Sequence, residues 1–113
     1  MRATQLIGGV SLAVGTKDAD FTLAITDAGN YIRVSKATDV NVTVPKSTTV
    51  DFPVGTTVVF EQVGAGKAVL TPAVDVTINV LSTKGLNTAG TSAVATLVKV
   101  DVDTWVAYGD LAA

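Results

Sequence analysis

The chain has few residues that could do chemistry, and the first candidate site is a glycine-rich loop. Gly64-Ala65-Gly66-Lys67-Ala68 combines small residues with a lysine, as phosphate-binding loops do. The rest of that motif is missing. Glu61 stands where its first glycine belongs, Ala68 replaces the Ser or Thr that would hold magnesium, and a strand pattern follows where the motif requires a helix. The segment is therefore predicted to be a hairpin turn between two strands.

Two pairs of carboxylates form the second candidate site. Asp18 with Asp20, and Asp101 with Asp103, could bind calcium or act as acid and base on a glycosidic bond. Neither pair has the spacing of a calcium-binding helix-loop-helix, and Asp is most often used within turns, where its side chain bonds the backbone. The turn role is favoured for both pairs, so the sequence predicts no metal site and no catalytic residue.

Aromatic side chains provide the third candidate site. Tyr31, Trp105 and Tyr108 could together form a platform on which sugar rings stack. The chain contains only one Trp, two Tyr and three Phe, so these residues are expected mainly in the hydrophobic core. A core position is favoured for Trp105, and the glycan platform is kept as the alternative.

The residue inventory excludes most other chemistry. The chain has no Cys and no His, which rules out a thiolate nucleophile, a Ser/His/Asp triad, a disulfide framework and the usual zinc sites. Eight basic and ten acidic residues give a net charge of −2, which argues against a nucleic-acid partner. No apolar run is long enough to span a membrane. We therefore expect a protein that is not an enzyme and that needs no cofactor.

The composition is that of a β protein. The chain of 113 residues contains 20 Val, 17 Thr and 4 Ile, and its length suits one domain. Charged residues make up only 16%, and the mean hydropathy is +0.47. Such a chain either exposes mainly Thr, Ala and Gly or buries part of its surface against other chains. Oligomerisation is the favoured interpretation.

Apolar and polar residues alternate along most of the chain, and this alternation indicates where the strands lie. It predicts an all-β fold, a single antiparallel β-sandwich or small barrel of about eight short strands. The clearest segments are Val40 to Val44 and Val74 to Val80, the second with Val74, Val76, Ile78 and Val80 on its apolar face. Further strands are predicted at 21–25, 31–35, 57–63, 68–71, 94–102 and 104–108, with the longest loop at 82–92.

The predicted core is formed between the last two strands and the segments facing them. Trp105, Val106 and Leu97 supply one side of it, and Val76, Ile78 and Val42 supply the other.

An N-terminal arm, residues 1–16, precedes the predicted sandwich at 17–113. Glycines interrupt the apolar stretch of this arm, which favours an extended strand over a signal peptide or a helix. Its apolar residues are predicted to form an interface with another chain: Leu6, Ile7, Val10, Leu12 and Val14.

The order of several short motifs resembles that of a known module. Asp27-Ala28-Gly29-Asn30-Tyr31-Ile32-Arg33 is followed by Val42-Thr43-Val44-Pro45 and by Phe52-Pro53-Val54-Gly55-Thr56. Further along come Gln62-Val63-Gly64-Ala65-Gly66, Leu97-Val98-Lys99-Val100, and a final segment from Asp103 to Leu111 that contains Trp105 and Gly109-Asp110. From about Phe21 to Leu111 the chain resembles the small β-sandwich module of tailed-bacteriophage structural proteins, which occurs in head-decorating, head-fibre and tail-fibre proteins.

The resemblance implies a structural role without catalysis. Modules of this kind typically assemble as homotrimers that build or decorate a virion. Only about 16 residues precede the module, which favours a capsid decoration or cement protein over a fibre. The expected partner is then the major capsid protein, and the expected location is the capsid exterior, after synthesis in the host cytoplasm. The alternative is a tail-fibre or baseplate module that binds host surface glycans through Tyr31, Trp105 and Tyr108.

Overall fold

A computed structural model describes residues 11–113, which form nine strands and one short 3-10 helix at Ile25–Asp27. The all-β class predicted from the alternation is confirmed. The strands are β1 Ala13–Lys17, β2 Phe21–Thr22, β3 Asn30–Val34, β4 Val40–Val44, β5 Thr57–Gln62, β6 Ala68–Pro72, β7 Thr77–Asn79, β8 Val94–Asp101 and β9 Thr104–Gly109.

The strands form two sheets, one of six strands in the order β1-β3-β5-β8-β9-β7 and one of three in the order β2-β4-β6. The prediction of an antiparallel fold is wrong, because the pairs β1/β3, β3/β5, β7/β9, β2/β4 and β4/β6 are parallel and only β5/β8 and β8/β9 are antiparallel. From β1 to β7 the chain changes sheet after every strand. It thus winds around the core, and successive strands of one sheet point the same way.

The register shows that the turns of this winding differ in length. Ala13 pairs with Asn30 and Phe21 with Val42, 17 and 21 residues apart, whereas the next strand in each sheet is added 28 residues further along the chain, as the pairs Tyr31/Val59 and Val40/Ala68 show.

The same path corrects the interpretation of the glycine-rich loop. Gly64 to Lys67 connects β5 of one sheet to β6 of the other, so these strands are not hairpin partners. Gly66 is buried against the backbone of the β3–β4 connection, where its N–H donates to the carbonyl oxygen of Lys36 at 2.9 Å. A Cβ at Gly66 would collide with the carbonyl of Thr38. The glycines are there for close backbone packing and not for a phosphate.

The core lies between the two sheets. Its largest side chain is Trp105, 1% exposed, which packs edge-on against Phe52 with ring centroids 5.5 Å apart. Trp105, Leu97, Val42 and Val76 are buried as predicted, Ile78 is partly buried against the core, and Val106 faces outward. The other large buried side chains are Leu23, Ile32, Val34, Val40, Val44, Val58, Phe60, Leu70 and Leu111.

Two predicted apolar strand faces are shorter than the alternation suggests. Val74 is 84% exposed because Asp75 adopts a left-handed conformation (φ 67°) and turns the chain before β7 begins at Thr77. Ile25 is exposed because it starts the 3-10 helix instead of extending β2. In that helix Asp27 is buried and accepts a hydrogen bond from the N–H of Ala24 at 2.8 Å.

A buried polar network links the two sheets at the end of the domain where β5 finishes. The Thr88 hydroxyl donates to Oε1 of Gln62 at 2.6 Å and accepts from the N–H of Ala68 at 3.0 Å. The Gln62 amide nitrogen in turn donates to the carbonyls of Gly64 and Ala65. Thr88 lies in the long loop predicted from the sequence, so this loop carries a structural contact between β5 and β6.

Replacing Thr88 with valine should lower the free energy of unfolding by about 2 kcal/mol, because the nearly isosteric side chain leaves Gln62 Oε1 and the Ala68 N–H buried without a partner. Urea unfolding measures this. Thr71→Val, at an exposed position of β6, is the matched control and should change stability by less than about 0.5 kcal/mol. Equal effects of the two substitutions would contradict a stabilising role of the network.

Residues 13–16 of the predicted arm are part of the six-stranded sheet. Ala13 to Lys17 forms β1, which pairs in parallel with Asn30 to Val34 of the same chain and is the edge strand of the six-stranded sheet. Lys17 places its ammonium group 5.0 Å from the ring centroid of Phe21, which fixes the connection to β2. Within residues 11–113, no helix is long and apolar enough to cross a membrane.

Candidate interaction surfaces

Three of the five arm residues predicted to form an interface, Leu6, Ile7 and Val10, lie outside the described residues. The other two, Leu12 and Val14, are exposed. Val14 pairs with Tyr31 at the edge of the six-stranded sheet, so its side chain belongs to the outer face of that sheet.

The proposed aromatic platform is not formed by its three residues. Trp105 is buried in the core, whereas Tyr108 is 55% exposed and Tyr31 is half-buried. The two tyrosines share one cross-strand row of the outer face, but Val59 and Thr96 lie between them. Three strand spacings of about 4.8 Å separate the two backbones. The three aromatic residues therefore do not lie together on one exposed surface.

The outer face of the six-stranded sheet is almost free of charge. Along β5, β8 and β9 the residues that alternate with the core are valine, threonine or tyrosine, apart from Glu61. The members of this outer face are Val14, Thr16, Tyr31, Arg33, Thr57, Val59, Glu61, Val94, Thr96, Val98, Thr104, Val106 and Tyr108.

Two of the charges on the outer face are paired with each other. Arg33 Nε lies 3.3 Å from Glu61 Oε1, and the Tyr31 hydroxyl donates to the same oxygen at 3.0 Å. The pKa of Tyr31 lies above its usual range because partial burial disfavours the phenolate, and the hydrogen bond to Glu61 and its charge act in the same direction. Tyr31 therefore stays a neutral donor, and the cluster adds no net charge to the face.

A second surface lies at the end of the domain where β3, β5 and β7 begin and where β8 turns into β9. Four neighbouring turns there expose apolar side chains, which we call the apolar tip: Ile25, Val54, Val102 and Val74, exposed by 53%, 63%, 66% and 84%. Backbone hydrogen bonds place these turns side by side. Gly29 donates to Thr57, Gly55 to Lys99, and Thr77 to Asp103.

The valines of the apolar tip share one local geometry. Each precedes a residue in the left-handed region: Gly55 at φ 96°, Asp75 at 67° and Asp103 at 49°. Hydrogen bonds from Thr56 N–H to the Pro53 carbonyl and from Val76 N–H to the Ala73 carbonyl close two of these turns. Val54 and Val74 stand at the second position of these two turns, and both side chains are exposed. Turn tips are usually polar, so three valines in this position are unusual.

Lys99 is a functional candidate that sequence reasoning missed. It is 3% exposed, and its ammonium group donates to the Phe52 carbonyl at 2.7 Å and lies 3.9 Å from a carboxylate oxygen of Asp51. Lys99 follows Ala95 and Leu97 at every second position of β8, and this spacing could have predicted from the sequence that its side chain is buried. The buried lysine holds the segment that leads to Val54.

Asp20 and Asp103, one from each carboxylate pair, accept hydrogen bonds from residues far along the chain and not from their own turns. Asp103 accepts from the N–H of Ser47 at 2.7 Å and from its hydroxyl at 3.2 Å. Asp20 accepts from the N–H of Asn41 at 2.9 Å, and this bond is the main reason that the pKa of Asp20 is lowered. No group of three potential metal ligands occurs among residues 11–113.

One open hollow of about 380 Å³ lies at the opposite end from the apolar tip, lined by Ala89 to Ala93 and Asp110. Asp110 is the only charged residue of this lining, and its carboxylate accepts from the N–H of Val94. The lining also contains the hydroxyl groups of Thr91 and Ser92, but within residues 11–113 no hydrogen bond joins either of them to Asp110.

Comparisons of the chain with protein-family models, with curated proteins and with solved structures found no match.

Proposed function

We propose that the protein is a non-enzymatic structural component of a bacteriophage virion, a capsid decoration protein that binds the major capsid protein as a homotrimer. The module resemblance supports the virion role. The observation that carries the assembly role is the outer face of the six-stranded sheet, where Arg33 and Glu61 pair with each other and Asp101, opposite Thr104 at one end of the face, is the remaining charge. Faces depleted in charge and rich in β-branched and aromatic side chains are typical of interface cores.

The finer architecture that we propose is a sandwich closed along one side. A segment within the long loop bridges the sheets there: Val69 of β6 pairs with Asn87, and Thr88 pairs with Leu111 beyond β9. The opposite side ends in the edge strands β1 and β2. A domain of this shape can contact neighbouring copies through its outer face and another surface through the turns of the apolar tip.

The purified protein should be a trimer with three times the chain mass of 11.5 kDa. The outer face is the proposed contact, so Val98→Lys at its centre should shift the mass toward the monomer, because an unpaired ammonium group would be desolvated there. Thr71→Lys, on the exposed face of the smaller sheet, is the control and should leave the mass unchanged. Light scattering after gel filtration at about 50 µM measures both. A monomeric wild-type protein would contradict the assembly role.

The location in the virion is tested by imaging. Particles whose copies carry a label after Ala113 should show the label on the head, since decoration requires contact with the shell. Label confined to the tail would replace the decoration role with that of a tail-fibre module. Of the residues predicted for glycan binding in that role, Tyr31 and Tyr108 have accessible side chains.

A further inference from the structure

We infer that the apolar tip is the surface that docks on the capsid, and that its site on the major capsid protein is an apolar recess flanked by lysine or arginine side chains. This inference rests on the proposed decoration role and names the contact surface and the chemistry of its partner. Four observations carry it: the exposure of the tip, its fixed backbone, its charge, and its position relative to the outer face.

Four exposed apolar side chains lie together at this end of the domain. Val54, Val74 and Val102 are more than 60% exposed on three neighbouring turns, with Ile25 on a fourth. Apolar side chains scattered singly over a surface need no explanation, but a row of them at the ends of adjacent turns marks an interaction site.

The turns are held in place by buried or partly buried polar groups. The main chain of Lys99 bonds both Gly55 and Thr56, and its side chain bonds the Phe52 carbonyl, which fixes the Val54 turn to β8. Asp103 accepts two hydrogen bonds from Ser47, and its carbonyl accepts the N–H of Thr77, which joins the Val102 and Val74 turns. A surface already fixed in its binding shape loses little conformational entropy on docking.

The charge around the tip defines the partner. Asp51, Asp75 and Asp101 are exposed on the turns of this end, and Lys46 is the only cation with an exposed side chain on the described turns there, where it pairs with Asp75 at 3.2 Å. Asp51 lies 3.9 Å from the buried Lys99 ammonium group, so of these three carboxylates only Asp101 has no cationic partner within residues 11–113, and it gives the rim a negative potential. A complementary partner therefore presents basic side chains around an apolar centre.

The position of the tip leaves the outer face free. The tip lies at the ends of the strands, whereas the outer face runs along their length. A threefold axis parallel to the strands would bring three outer faces together and direct all three tips to the same side. Three linked weak contacts then act as one strong attachment.

The test is rebinding of purified protein to heads stripped of it. A variant with Val54→Ser, Val74→Ser and Val102→Ser should bind about 100-fold more weakly than wild type, because three apolar contacts per chain are removed. It should keep its trimer mass and thermal midpoint, since these side chains do not pack in the core. Asp101→Asn, which leaves the Asp51–Lys99 pair in place, should keep the apolar contact but reduce the salt dependence of binding.

Leu81→Ser is the matched control for Val102→Ser, because both side chains are 66% exposed and Leu81 lies in the loop after β7, away from the tip. The control should bind as wild type does, and Val102→Ser should bind more weakly. Wild-type occupancy by the triple variant, or an equal loss from Leu81→Ser, would overturn the docking surface and leave the decoration role standing. Failure of wild-type protein to bind stripped heads would overturn the decoration role, and the inference with it.

Discussion

Trp105→Ala should lower the free energy of unfolding by about 3–5 kcal/mol, the largest loss expected from a side-chain truncation in this protein. The indole is 1% exposed and meets the edge of the Phe52 ring, so its removal leaves a cavity between the sheets and also deprives Phe52 of its aromatic partner. Thermal or urea unfolding followed by circular dichroism measures the change. This loss is a large fraction of the net stability of a typical domain, about 5–15 kcal/mol.

Tyr108→Ala is the control for this substitution. Tyr108 is also an aromatic residue of β9, but it is 55% exposed on the outer face, so its removal should cost less than about 1 kcal/mol in the monomer. Measurement on the Val98→Lys background separates folding from assembly. An unshifted Trp105→Ala protein would contradict the core position and restore Trp105 as a candidate for glycan stacking.

Gly66→Ala should cost about 3 kcal/mol or more, although it adds a single methyl group. That methyl would overlap the carbonyl group of Thr38, which is backbone and cannot rotate away as a side chain could. The β3–β4 connection would have to separate from the β5–β6 connection, and the Gly66 to Lys36 hydrogen bond would lengthen or break.

Gly90→Ala tests whether the effect of Gly66→Ala comes from this close approach. No heavy atom lies within 4 Å of a Cβ built at Gly90, so this variant should be as stable as wild type or slightly more stable, because alanine restricts the unfolded chain. Equal destabilisation by the two substitutions would show that loss of backbone freedom is responsible. Cooperative unfolding curves for both variants, recorded in the same buffer, provide the comparison.

The sequence predicted strand positions well and strand pairing poorly. Val40 to Val44 alternates because one side packs in the core, so its bounds follow directly from the residues. Alternation has the same period in parallel and antiparallel strands, however, so it carries no information about direction. The assumption that β5 and β6 form a hairpin came from the short Gly64 to Lys67 link, which instead passes from one sheet to the other.

The candidate surfaces were harder to predict than the fold. Val74 continues an alternating pattern, and only the left-handed conformation of Asp75 separates it from β7. The pairs Val54-Gly55, Val74-Asp75 and Val102-Asp103 did carry a signal, since Gly and Asp favour turns and the valine before them has no core to enter. Their adjacency arises only from the order β5-β8-β9-β7 in the folded sheet.

The winding path of the chain also bears on how fast it folds. Tyr31 and Val59, like Val40 and Ala68, meet across a separation of 28 residues, and of the neighbouring strand pairs only β8 and β9 are joined by a short turn. Each of the other pairings must first close a sizeable loop, so the contact order is high and folding should be slow for a chain of this length. The β8–β9 hairpin can form within about 10 µs of collapse. It is therefore the natural nucleus, on which β5, then β3, and last the edge strand β1 can assemble.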